Sequence, residues 1–383
     1  MKQLLATLLL LLMMTPCLMA QKKELSQARS SIKSGKYSDA EKVLTTLLKD
    51  STNRTNKRIW LAYYDAVLGQ YEQGNEKLYL KQQYDTASFF SKALQMLTIA
   101  ETLDSLTTEN RKSHSQQLNA LRPNIFNGGS FLLRKGKWAE AYRYYEAYLD
   151  CARQPLFQAY RYDSLDVRMP EAAYWATYCG YKQENAVLTL RYSKLALQDT
   201  AKADFTLQFM AEARKWLKDD ELYVQTLEEG FRRYPTFHYF FPRLMDAYVS
   251  LGQYEKALSL ADSALTVNPS SELYLFAKST TLLRMERYAE SIKYSEQLIE
   301  VNPNFAEPYF NAGTAYVNIA EQLAERQEKK LMKQAYLKAC PYMENYRKLM
   351  PKEQAKWAPV LYRIYLNLNM GKQFDEIDRL LKK

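Results

Sequence analysis

Nucleophilic, acid–base and metal chemistry draw on a short set of side chains, and this 383-residue chain offers few of them in usable patterns. It has two histidines, His114 and His238. His114 stands in the polar stretch RKSHSQQ and reads as solvent-facing, whereas His238, in PTFHYFF at a helix start, reads as a packing residue. A histidine-rich metal site or a histidine relay therefore has almost no material. Beyond Cys17 there are three cysteines, Cys151, Cys179 and Cys340. Three cannot complete a disulfide framework, and each stands in an apolar helical context, as small core residues do. The chain contains no G-x-S-x-G, H-E-x-x-H or C-x-x-C and no dinucleotide fingerprint. The tripeptides GKY, GKW and GKQ lack the upstream glycine-rich run that cradles a phosphate. Paired carboxylates for glycoside cleavage need no local motif and remain open. No catalytic residue, metal ligand or cofactor is assigned, and the expectation is a protein that is not an enzyme.

The elements around these residues are helical. Glycine and proline are scarce (11 and 12 residues), and 47% of the chain is hydrophobic, enough to bury a core along its length. At this length one compact core gives way to two domains or an elongated array. Pro235, Pro269 and Pro303 recur at a spacing of 34, each after one amphipathic run and before the next. That interval holds two helices of about three or four turns with short connections. A stack of such helix pairs is the architecture it predicts.

The stretch LGQYEKALSLADSALTVNP, residues 251–269, carries the details. Counting from His238, Tyr248, Gly252, Tyr254, Ala257, Ala264 and Pro269 fall at positions 11, 15, 17, 20, 27 and 32, with Met245 off type at 8. This pattern resembles the tetratricopeptide repeat (TPR). The frame also fits Gly129, Gly136, Trp138, Ala141 and Tyr145, then Gly35, Tyr37 and Ala40, and Tyr84 with Ala87. In the repeat from Glu272, Ser291 replaces the alanine at the helix crossing. The repeat from Ala306 gives Gly313 and Tyr316, but Ala339 and Pro351 fit only after fourteen extra residues near QLAERQEKKLMKQA, which should lengthen both helices. Residues 170–200 and 204–235 keep the length and little of the signature. The resemblance implies an all-α right-handed superhelical solenoid of about nine antiparallel hairpins. Its expected parts are a signal peptide at 1–20, TPR-like hairpins at 21–110, degenerate ones at 111–235, repeats at 236–351 and a capping hairpin at 352–383.

The resemblance also implies a concave wall built from the first helix of each repeat. Its groove positions fall on Tyr174, Tyr178, Tyr181 and Lys182, then on Phe205, Glu212 and Lys215, and then on Tyr239, Asp246, Phe276, Arg284, Phe310 and Asn318. An aromatic groove of this kind suits a protein or peptide partner. Within the repeats no Lys at position 5 accompanies an Asn at 9, which disfavours the clamp that some such proteins close on a chaperone's C-terminal carboxylate. A competing reading is that Tyr174 and Tyr178 only pack against the neighbouring hairpin. Two rival functions are a helical-toroid hydrolase acting on an envelope polysaccharide and a structural subunit that assembles end-on.

Lys2, the apolar run from Leu4 to Met14 and the small residue Ala20 read as a secretory signal cleaved near Ala20. Lipidation at Cys17 is the alternative, opposed by the preceding Pro16. Export, with the resemblance, places the expected location in the periplasm or cell envelope of a Gram-negative bacterium. The formal charge of +10 admits peripheral association with an acidic surface, although basic and acidic residues are interspersed. Nucleic acid is not expected, because the aromatics fall at helical packing positions rather than beside Lys and Arg on a strand platform. Finally, Asp followed by Ser or Thr and then an aliphatic residue or Thr resembles an envelope O-glycan acceptor at Ser51, Thr86, Ser105, Ser164 and Thr200.

Overall fold

The computed structural model describes residues 21–382, so the signal segment, its cleavage site and Cys17 lie outside the described residues. No strand occurs among the described residues. The chain divides into two compact units at Asp219–Asp220, inside the segment read from sequence as 111–235.

The first unit contains α1 (21–33), α2 (Tyr37–Leu47), α3 (Lys57–Tyr79), α4 (Thr86–Leu106), α5 (Arg111–Arg134) and α6 (Trp138–Asp150). An irregular segment with α7 (Tyr162–Leu165) leads to α8 (Met169–Lys182), α9 (Ala186–Arg191), α10 (Ser193–Ala196) and α11 (Ala203–Trp216). The second unit opens with α12 (Asp220–Arg233). Four hairpins follow, pairing α13 (Phe240–Ser250) with α14 (Tyr254–Val267), α15 (Glu272–Arg284) with α16 (Tyr288–Val301), α17 (Glu307–Glu325) with α18 (Lys329–Leu349), and α19 (Gln354–Leu368) with α20 (Gly371–Leu381). Within each unit the second helix of a hairpin packs on the first helix of the next, so each unit is by itself a helical solenoid. The fourteen extra residues do lengthen a hairpin: α17 and α18 run 19 and 21 residues against 13 and 14 for α15 and α16.

One backbone device repeats at the short turns that end a helix. Gly35, Lys81, Gly136, Glu184, Lys218, Gly252, Glu286, Gln327 and Asn369 all take positive φ, between 51° and 75°. In each case the amide of the following residue donates to the carbonyl five residues earlier, as Gln253 does to Tyr248 and Arg287 to Leu282 at 2.8 and 2.9 Å. This closes the helix and starts the next one. Glu184, Lys218, Gly252 and Glu286 follow one another at 34 residues. Elsewhere the interval stretches, because α3, α4 and α5 are 21–24 residues long and because the segment 151–168 is inserted before α8. Six of these nine residues carry a Cβ that the left-handed region penalises by about 1 kcal/mol. Glu286→Gly is therefore expected to raise the stability of the second unit by about 0.5–1 kcal/mol; a chemical denaturation midpoint that falls instead would show the turn is not strained.

Glycines and aromatics pack the hairpins. A Cβ on Gly69 would lie 2.3 Å from the Tyr37 ring, on Gly129 2.9 Å from Tyr145 and on Gly230 2.3 Å from Phe240. Bare backbone lets these rings wedge between helices. Tyrosine suits the role because its hydroxyl finds a partner at the edge of the core: Tyr145 shares a 3.0 Å bond with Ser130, and Tyr365 donates to Glu344 at 3.0 Å. Ala40, Ala141 and Ala257 are fully buried at the helix crossings. Ser291 fits the same place because its hydroxyl donates to the Ser279 carbonyl at 2.8 Å.

Candidate functional site

The histidines reverse their expected environments. His114 is buried on α5 against the Tyr64 ring, with centroids 4.2 Å apart, and burial lowers its pKa. His238 is exposed ahead of α13. Cys151 and Cys179 are buried free thiols and Cys340 is half-buried; burial pushes all three up to about 12, so none is a ready nucleophile. Among the described residues no three His, Cys, Asp or Glu side chains are grouped to hold a metal ion, and no helix is long and apolar enough to cross a membrane.

Two faces built from first helices remain, one in each unit. In the first unit α8 presents Trp175, Tyr178 and Tyr181, all half-buried, toward α11. Tyr181 stacks on Phe209 with centroids 4.5 Å apart and on Trp216 at 5.9 Å, while Tyr178 meets Trp138, Trp175 and Phe209 at 5.7–5.9 Å. Lys182 lies 5.6 Å over the Trp138 ring and Lys202 5.3 Å over Tyr174. Exposed Phe205 joins this wall through Phe209. Lys215 is exposed and Glu212 half-buried. Tyr174, however, is 7% exposed, and burial pushes its hydroxyl up to about 12; it supports the wall from behind.

In the second unit a cleft of about 200 Å³ opens between α13 and α15. Pro242, Met245 and Val249 of α13 and Phe276 and Ala277 of α15 give it an apolar lining, with Asp246 and Arg284 at its edges. Both charged groups are exposed, and neither forms an ion pair among the described residues. Ser271 caps α15 by accepting from the Tyr274 amide at 3.4 Å, and Phe276 packs on Phe305. On α17, Phe310 and Asn318 are half-buried, and buried Asn311 ties α17 to α15 through bonds of 3.0 Å to Ser279 and Thr280. Tyr239 does not reach the cleft: it is 3% exposed beneath the Arg243 guanidinium.

Sequence reasoning missed Trp175, which adjoins Tyr174 on the face that turns outward, and the apolar partners Pro242, Met245 and Val249. Helical spacing from Glu171 and Tyr178 was the signal for Trp175; the other three follow from reading Asp246 as the centre of a stripe. Of the residues resembling glycan acceptors, Ser51, Ser105, Ser164 and Thr200 are exposed and Thr86 is half-buried. Asp50 and Asp85 in that pattern cap helices, accepting from the Thr52 and Ala87 amides at 2.9 and 3.0 Å.

Turns at 34-residue intervals, small residues at the crossings and aromatic wedges beside the turns occur together here. The chain carries the tetratricopeptide-repeat fold. Among solved TPR structures, the C-terminal part of a TPR repeat-containing protein from Cytophaga hutchinsonii is 15% identical, with a TM-score of 0.44 over 66% of this chain and 92% of that one. The P58(IPK) TPR domain is 15% identical, with a TM-score of 0.27 over 95% and 98%. The TPR2AB domain of yeast Sti1, solved with pHSP90, is also 15% identical, with a TM-score of 0.29 over 79% and 98%. These likenesses concern the fold alone. No family model and no curated protein matches the sequence.

Proposed function

We propose that this TPR protein is a non-catalytic scaffold that holds a protein or peptide partner against the first helices of its repeats, within the envelope of a Gram-negative bacterium. The α13–α15 cleft carries the reading. It is apolar, open and edged by one acidic and one basic group free to pair with a ligand. Phe276 supplies the kind of aromatic anchor that concentrates binding energy at low conformational cost. The envelope setting rests on the signal-like residues 1–20.

A displayed peptide library selected on the protein tests it. Selected peptides are expected to lose about tenfold or more in affinity to a Phe276→Ala, Arg284→Ala double variant, with far-ultraviolet circular dichroism unchanged. Equal affinity for both proteins would refute the cleft and favour end-on assembly. Turnover of an envelope polysaccharide by the purified protein would favour the hydrolase.

A further inference from the structure

The lengthened hairpin of the second unit carries an outward face that the repeat does not require. Between residues 325 and 338 five basic residues stand against two acidic ones, Glu325 and Glu328. At 3.6 residues per turn, Lys333, Leu337, Lys330, Gln334, Lys338 and Leu331 share one side of α18, and all six are exposed. Leu331 and Leu337 are 47% and 56% exposed. The opposite side, with Ala335, Tyr336, Ala339 and Met343, is buried against the hairpin. None of the lysines 329, 330, 333 and 338 forms an ion pair among the described residues; Lys338 only lies 5.7 Å from the Tyr316 ring.

Two physical points argue that this face serves an external partner. Lysines in the first turns of a helix oppose the positive end of its dipole; the first turn of α18 holds no acidic residue, so Glu328 at its N-cap offsets only part of the charge of Lys329, Lys330 and Lys333. Leucines on a solvent face add nothing to the fold. Both costs make sense where the face meets a negatively charged surface with an apolar layer below it. Alternating Lys and Leu on one helix side is the composition of a segment that lies along a bilayer, with ammonium groups among acidic headgroups and leucines in the acyl boundary.

We propose that the outward face of α18, centred on Lys330, Lys333, Leu331 and Leu337, docks the protein on an anionic lipid bilayer. Co-sedimentation of the chain from Gln21 onward with vesicles of phosphatidylcholine alone, or with about one-third phosphatidylglycerol, tests this. Binding is expected only with the acidic vesicles and should weaken as salt rises. Lys329→Glu, Lys330→Glu and Lys333→Glu combined should reduce it more than tenfold. Leu331→Ser with Leu337→Ser should reduce it too and remove what persists at high salt. The same three reversals at the exposed Lys33, Lys36 and Lys49 control for net charge and should have much less effect. Circular dichroism matching the parent chain keeps each variant informative. Absence of binding to acidic vesicles would overturn the proposal and leave an acidic protein surface as the occupant; equal loss in the control would reduce it to bulk charge.

Discussion

Arg122→Met is expected to cost the first unit about 3–5 kcal/mol, as removal of one partner of a buried ion pair does. The Arg122 guanidinium is 5% exposed and lies between two rings, 3.6 Å from the Tyr148 centroid and 3.7 Å from that of Tyr162. It pairs with Asp166 at 2.5 Å and donates to the Tyr148 carbonyl at 3.0 Å. A further contact of 3.4 Å reaches the sulfur of Met169, the first residue of α8. This clamp seats the inserted segment 151–168 on α5 and fixes where α8 begins, so it positions the aromatic wall without belonging to it. Arg122→Met with Asp166→Asn should recover part of the loss, by about 1–3 kcal/mol relative to the sum of the single changes. Additive losses in urea denaturation would show that the two residues act independently.

The pair also sets a pH dependence. Burial pushes the Asp166 carboxyl up, but hydrogen bonds from Tyr148, Arg122 and the Arg168 amide outweigh it and hold the group below its ordinary value. The unfolded chain therefore binds this proton more readily than the folded one. The stabilisation is full above about pH 4 and is lost as the pH falls through the folded-state value. Asp166→Asn should remove this part of the acid limb.

The repeat was legible where glycine marks the turn, at Gly35, Gly136 and Gly252. It faded where Glu184, Lys218 and Glu286 hold the same left-handed conformation, because surrounding packing can impose that conformation on residues that do not announce it. The backbone keeps its 34-residue register through 184–286 although the side-chain signature does not. The polar neighbours of His114 point to a solvent-facing position, yet Leu118, Leu121 and Ile125 follow it at helical spacing and are buried with it. Tyr174 falls in the groove when counted from a degenerate start, whereas Tyr239 is counted from the clearest repeat and misses the cleft because it precedes α13, beneath the Arg243 guanidinium. A slip of one residue turns a helix by more than a quarter of a turn, which separates Trp175 from Tyr174. The clamp at Arg122 had no local signal, since its partner lies 44 residues away in an insertion that belongs to no repeat.

Gly180→Ala should be the most damaging glycine substitution in the first unit, at about 3 kcal/mol. A Cβ there would come within 2.5 Å of the Thr189 nitrogen, 2.7 Å of the Leu188 carbonyl carbon and 2.8 Å of the Thr189 Cα. At Gly129 a tyrosine ring could tilt aside, but at Gly180 the obstacle is backbone, so α9 as a whole must move from α8. Alanine is otherwise the better helix former, and any gain in propensity works against the predicted loss. Gly371→Ala, in the second unit with nothing within 4 Å of its Cβ, is the control for an unobstructed substitution and should stay within about 0.5 kcal/mol of the parent. Tryptophan fluorescence during urea denaturation reads the effect, because Trp175 sits on the face that α8 presents and Trp138 of α6 packs against Tyr178 there. A Gly180→Ala midpoint equal to the control's would mean that α9 does not press on α8. A lowered midpoint with altered native emission would show that the spacing of these two helices holds the aromatic wall in place.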